Sequence, residues 1–185
     1  MIRHDDLVHP EKALLLVVDM QEAFAAPIEN FDAIAQRTRI ILAAAQQLQL
    51  PILATEQYPK GLGRTVEPLR SQLAHATIFE KTAFSCLADN AVAHRLQASG
   101  RTQILLAGVE THVCILQTAL DLLASGCRPY VLADAVGSRR PLDRDVALQR
   151  MQCHGVSIST TEAAILEIVQ DSRNDAFKAI RTLIK

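Results

Sequence analysis

The chain has 185 residues and a net charge of −1, from 19 Lys plus Arg against 20 Asp plus Glu. At roughly 150 residues per domain this length predicts one domain, 1–185. The charge balance and the seven aromatic residues, five Phe and two Tyr, argue against nucleic acid as a partner, because backbone binding scales with basic charge and base stacking needs aromatic surface. No run reaches the roughly 20 apolar residues that span a bilayer, so no membrane partner is expected. Met1–Lys12 is charged and lacks the apolar stretch of a secretory signal. Cys86, Cys114, Cys127 and Cys153 show no CxxC spacing, and they read as reduced thiols of a cytoplasmic protein.

Short apolar runs alternate with segments of helical period. The runs are Leu14–Val18, Ile52–Thr55, Thr77–Glu80, Gln103–Ala107, Tyr130–Ala133 and Val156–Ser159. Most are solid rather than alternating, as strands covered on both faces of a parallel sheet require. After the first strand, Phe31, Ile34, Ala35, Ile41, Leu42, Ala45 and Leu48 share one helical face, with Asn30 as N-cap and Pro51 after the end. A later helix is predicted over His112–Ser125, capped by Thr111 and stopped by Gly126. Ser159-Thr-Thr-Glu162 fits a capping box before Ala163–Val169, and a last helix is predicted over Asp175–Ile184. About six strands alternating with helices predict an α/β domain with right-handed crossovers.

Ligands of an open parallel sheet bind beyond the carboxyl ends of its strands. The segments there are Asp19-Met-Gln21, Glu56-Gln-Tyr58, Lys81-Thr82, Gly108–Cys114, Asp134-Ala135 and Thr160-Thr161. Three residues form a reactive set on paper: the Asp19 carboxylate, the Lys81 ammonium and the Cys114 thiol. With Thr111 as N-cap, Cys114 falls in a helix's first turn, where free N–H groups and the macrodipole favour a thiolate. A nearby lysine adds to this, Asp19 is placed to accept the proton, and backbone N–H groups of the same turn suit an oxyanion. Plainer roles compete. Cys114 also fits a packed small hydrophobe, Asp19 a local cap, and Lys81 a solvated strand-end charge.

Leu16-Val-Val-Asp19-Met-Gln21, Phe79-Glu-Lys81-Thr-Ala-Phe84 and Gly108-Val-Glu-Thr-His-Val-Cys114 resemble the three signatures of the isochorismatase-like cysteine hydrolases. Thr55–Gly63 and Ala133–Arg139 resemble the branch called isochorismatase domain-containing proteins. The resemblance implies a three-layer α/β/α, Rossmann-like fold with a six-stranded parallel sheet of order 3-2-1-4-5-6. It also implies a triad of Cys114 as nucleophile, Asp19 as base and Lys81 as tuning group. The peptide before Glu110 would be cis, and the Glu110 and Cys114 N–H groups would form the oxyanion hole. Thr111 as cap would then take the Val113 N–H, since taking that of Cys114 competes with the oxyanion. Lys81 must lean about 9–10 Å across two strands to reach Asp19, becoming partly buried. The resemblance further implies a homo-oligomer.

Relatives that hydrolyse nicotinamide place a metal on Asp and His residues after the second strand. Here that loop has no His, and His4, His9, His75, His94, His112 and His154 show no HxH or HxxxH spacing. No metal or other cofactor is therefore expected, although Glu56 offers one ligand. Retention of Cys114 points to a thioester route on a small-molecule amide or related C–N bond. Phe24, Glu56, Gln57, Tyr58, Phe84 and His112 are the candidates to line its pocket. His112 is roughly 200° around the helix from Cys114, poor geometry for a Cys–His dyad. Two other readings stand beside the amide hydrolase: a non-enzymatic ligand-binding or interaction protein, and a peroxide-sensitive thiol protein.

Overall fold

The computed structural model describes residues 3–67, 69–74 and 76–185. In chain order the elements are β1 (Ala13–Val18), α1 (Glu22–Ala25), α2 (Phe31–Gln47), β2 (Ile52–Gln57), α3 (Pro59–Leu62), α4 (Leu69–Gln72), β3 (Thr77–Lys81), α5 (Asn90–Ala98), β4 (Gln103–Val109), α6 (Leu116–Ala124), β5 (Arg128–Gly137), α7 (Pro141–Cys153), β6 (Ser157–Ser159), α8 (Thr161–Val169) and α9 (Phe177–Ile184). The strands form one parallel sheet of order β3-β2-β1-β4-β5-β6. This is the predicted order.

Every residue of β1 and β4 is buried, which is why their sequences read as unbroken apolar runs. Successive side chains serve opposite layers. Leu15 and Val17 pack with α2, α8 and α9 on one face. Leu14, Leu16 and Val18 pack with α5, α6 and α7 on the other. The edge strands β3 and β6 are partly open.

Gly108 adopts φ 124°, and a Cβ there would stand 1.9 Å from the Val18 carbonyl oxygen. No side chain fits, because β4 runs against β1 with Val18 and Gly108 in register. The close approach draws the ends of β1 and β4 together just where the reactive residues follow. Gly126 takes the left-handed conformation expected after α6, with φ 84°.

Local capping differs from the sequence reading in three places. Asn30 occupies the N-cap of α2 without a side-chain bond. At α8 the cap is Thr160, which accepts from the Ala163 N–H, one residue later than the predicted box. Ser159 belongs instead to β6, and a strand residue in the ladder is not available to cap. The third difference, at Thr111, bears on the site.

Candidate active site

Three strand ends build the site. Asp19 follows β1 in a left-handed turn (φ 52°), and Thr55 on β2 lies in register with Val18. Lys81 closes β3 in register with Gln57. From there its chain crosses to Asp19, giving an Nζ–Oδ2 contact of 2.7 Å with both side chains fully buried. Nζ also donates to Gln57 Oε1 at 2.7 Å and to the carbonyls of Ala83 (3.1 Å) and Phe84 (3.2 Å). Cys114 Sγ lies 3.7 Å from the same nitrogen. The three predicted reactive groups thus converge on one ammonium. The burial expected of Lys81 is complete.

The second carboxylate oxygen is also engaged, since Thr55 donates to Asp19 Oδ1 at 2.7 Å. Gln21 supports the site from beneath: its amide accepts from the Gln57 N–H at 2.7 Å and donates to the Gln57 carbonyl at 3.0 Å. Gln57 in turn donates to the Thr82 carbonyl. Thr55 and Gln21 were not singled out from sequence as site residues. The available signal was the two-residue period of β2, which puts Leu53, Thr55 and Gln57 on one face.

Cys114 does not sit in an ordinary first turn. Residues Thr111–Ile115 form a wide π turn that continues into α6. Its N-cap is Glu110, in extended conformation. The Glu110 carbonyl accepts from Val113 at 3.1 Å and from Ile115 at 3.2 Å, one on each side of Cys114. Thr111 is therefore inside the turn rather than capping it, and its buried hydroxyl has no partner among the described residues. The Val109–Glu110 peptide is cis, as the resemblance implied.

The electrostatics reverse one expectation. Burial pushes the Cys114 thiol well above its ordinary value. The neighbouring Asp19 charge adds to this, and together they outweigh the opposing pull of Lys81. The direction is opposite to the lowering inferred from a helix N-terminus. Burial also works against the Lys81 charge, but the Asp19 carboxylate beside it holds its pKa above the usual lysine value. Cys86 lies behind the triad, 3.9 Å from Thr55 Oγ1, and burial pushes it up to about 11.

Beside Cys114 opens a cavity of about 370 Å³ lined by Ala23, Phe24, Pro27, Gln57, Leu62, Phe84, Glu110, Val113 and Arg139. Phe24, Gln57 and Phe84 are thus at the cavity, as expected. Glu56, Tyr58 and His112 are not. Glu56 follows Ala54 onto the opposite face of the sheet, where Arg64 and both Thr65 donors hold it at 2.7–2.9 Å. Its burial opposes ionisation, yet these bonds keep its carboxyl below the ordinary value. Tyr58 turns outward in a left-handed conformation and is 55% exposed. His112 bonds Ser138 Oγ at 3.0 Å on the far side of the π turn. No group of three metal-ligating side chains occurs among the described residues; His75 lies outside them.

Residues 13–163 match the family model described as the isochorismatase domain. The chain belongs to the isochorismatase family. It is 38% identical over 190 residues to isochorismatase family protein 1B of Dictyostelium discoideum, covering 100% of this chain and 92% of that one. It is 42% identical over 179 residues to isochorismatase domain-containing protein 2A of Mus musculus, covering 95% and 84%. Among solved structures, MAR1 ribonuclease from Caenorhabditis elegans superposes with a TM-score of 0.91 at 40% identity, covering 96% of this chain and 92% of that one.

Proposed function

We propose that this isochorismatase-family chain is a cysteine hydrolase that cleaves the C–N bond of a small amide through a thioester on Cys114. The observation that carries this reading is the single buried ammonium of Lys81, which touches both the Asp19 carboxylate and the Cys114 sulfur. A protonated thiol is a weak nucleophile, so attack needs a base in contact with it. Asp19 accepts the thiol proton as sulfur bonds to the amide carbon. The carbonyl π electrons move to oxygen, and the Glu110 and Cys114 N–H groups receive the oxyanion. Collapse breaks the C–N bond, with the proton passing from Asp19 to the departing nitrogen. Water then attacks the thioester, giving its proton to Asp19, and the second collapse releases the acid and returns that proton to sulfur. Lys81 stays an ammonium throughout and balances the charge on Asp19 or the sulfur.

A cavity of about 370 Å³ is at the small end of ligand pockets, roughly 300–1,000 Å³, and suits a small molecule. The C. elegans relative is named a ribonuclease, so RNA belongs in the test beside the amides. No described helix is long and apolar enough to cross a membrane. The four cysteines are free thiols, which fits the reducing cytoplasm. Exposed Leu142 and Val146, one turn apart on α7, support assembly into a homo-oligomer, with light scattering as its check.

The deciding experiment scores ammonia release from a panel of small amides, with an RNA arm, for the wild type and Cys114→Ala. The expected result is turnover of at least one amide that Cys114→Ala abolishes. Turnover of RNA alone, or of nothing in the panel, overturns the reading.

A further inference from the structure

Strands β4 and β5 stay in register to their ends, with Val109 opposite Gly137. Beyond the sheet the pairing continues through side chains. Arg139 donates from its backbone N–H and Nε to Glu110 Oε1 at 3.0 Å, and Ser138 Oγ meets His112 Nδ1 at 3.0 Å. Two consecutive residues after β5 thus hold Glu110 and His112, the N-cap and the second residue of the π turn that carries Cys114. Neither Ser138 nor His112 lines the cavity beside the cysteine, so the mechanism above gives them no part.

The ring of His112 is fixed from both sides. Its Nε2 lies 4.0 Å from Asp143 Oδ2, in the first turn of α7. A carboxylate on that side favours the proton on Nε2, which leaves Nδ1 to accept from the Ser138 hydroxyl. Ser138 is buried, where a hydrogen bond is stronger than in water. His112 is thereby pinned between the end of β5 and the start of α7, two residues before Cys114.

The turn itself has reason to be pinned, since π geometry is rare and survives mostly as single turns at functional sites. The Ile115 N–H reaches back to the Glu110 carbonyl at 3.2 Å, and the same carbonyl is shared with Val113 at 3.1 Å. Thr111, whose hydroxyl has the chemistry to close the turn, has no side-chain partner among the described residues.

We propose that Ser138 is a positioning residue of the hydrolase. Acting through His112, it holds the π turn so that the Cys114 sulfur and the Glu110 and Cys114 N–H groups keep the alignment that attack and oxyanion binding demand. The chemistry rests on the hydrolase reading, whereas the latch stands on the Ser138–His112 bond.

The test compares the intact wild type with Ser138→Ala, His112→Gln, His112→Asn and the double variant Ser138→Ala with His112→Gln. Asparagine sets its side-chain oxygen where Nδ1 stands and keeps the Ser138 bond; glutamine carries its amide out toward the Nε2 position and loses it. Kinetics use an amide that the wild type turns over, and hydrogen exchange reads the backbone of residues 110–116 with no substrate present. Ser138→Ala and His112→Gln lower kcat by about 10- to 100-fold with KM within about twofold, because the reacting groups are misplaced while the cavity lining is untouched. Exchange over 110–116 rises roughly fivefold or more in both, while β1 and β4 keep wild-type protection. His112→Asn stays near the wild type on both readouts, and the double variant is no worse than the poorer single one.

Wild-type kcat and exchange in Ser138→Ala overturn the proposal. So does a KM change with kcat unaffected, equal damage from His112→Asn and His112→Gln, or protection lost across the whole sheet. If Ser138→Ala yields no folded protein, the two His112 variants decide by the same criteria. If the wild type turns over no amide, the hydrolase reading fails, and exchange over 110–116 alone decides whether Ser138 holds the turn.

Discussion

Thr55 donates its hydroxyl to Asp19 Oδ1 at 2.7 Å, across neighbouring strands held in register. Lys81 takes the other oxygen at the same distance, so each Asp19 oxygen has a partner of its own. The carboxylate is thereby held beside the Cys114 sulfur rather than free to rotate. Hydrogen bonds to charged groups contribute about 1.5–3 kcal/mol. Thr55→Val is therefore expected to lower kcat by roughly 10-fold or more, with KM little changed because Thr55 does not line the cavity. Thr55→Ser restores the hydroxyl and should recover most of the rate. Loss of KM alone would show that Thr55 acts on substrate binding instead.

The thiol's electrostatics make a signed prediction for alkylation. Asp19 raises the Cys114 thiol and Lys81 lowers it. Asp19→Asn should therefore speed iodoacetamide labelling of Cys114 at pH 7 while abolishing turnover, and Lys81→Met should slow labelling. In the wild type the rate should keep rising to pH 9, with exposed Cys153 labelled first. Peptide mapping from pH 6 to 9 checks this. A Cys114 plateau below pH 8 would show that the resting group is a thiolate after all.

Buried charges also leave a stability signature. Lys81→Met strands the Asp19 carboxylate without its partner, and breaking a buried pair costs about 3–5 kcal/mol. Neutralising both, in Asp19→Asn with Lys81→Met, should be clearly less costly than Lys81→Met alone. Urea denaturation at pH 7 measures the difference. Because Lys81 is raised above its ordinary 10.5 when folded, the stability linked to its ionisation is complete below pH 10.5 and is lost as pH rises through the folded value.

Glu56 supplies the opposite case. Its folded carboxyl is held below 4.5, so the linked stability is present above pH 4.5 and disappears as pH falls through the folded value. Glu56→Gln should destabilise the protein by about 1–3 kcal/mol at neutral pH and by less at pH 3. The kcat/KM of the folded variant should remain within about twofold, since the side chain faces away from the cavity. A change in substrate selectivity would return Glu56 to the pocket.

Two glycines should respond very differently to alanine. Gly108→Ala puts a Cβ 1.9 Å from the Val18 carbonyl oxygen at φ 124°, backbone against backbone. More than ~4 kcal/mol of destabilisation, or no soluble protein, is expected. Gly126→Ala meets nothing within 4 Å at φ 84° and pays only the left-handed conformational cost of roughly 1–2 kcal/mol. Thermal and urea melts of the two variants distinguish these outcomes.

Much of this architecture is legible along the chain. β1 and β4 are covered on both faces, so burial leaves an unbroken apolar signature, and the residue after each run marks a strand end. That is how Asp19 is found, whereas Lys81 ends the partly open β3 and Cys114 lies in the turn beyond β4. Facing residues are legible only where period two is applied strictly: Thr55 and Gln57 turn toward the site, while Glu56 between them turns to Arg64 and Thr65. Tertiary structure alone decided the rest. Thr111 has the chemistry of a cap, yet the backbone geometry gives that position to Glu110 and opens a π turn around Cys114. A cysteine near a helix start beside a lysine reads as a thiolate, but its proton is set by burial and by a carboxylate 95 positions earlier. Such terms depend on distance and dielectric, which a linear order of residues does not contain.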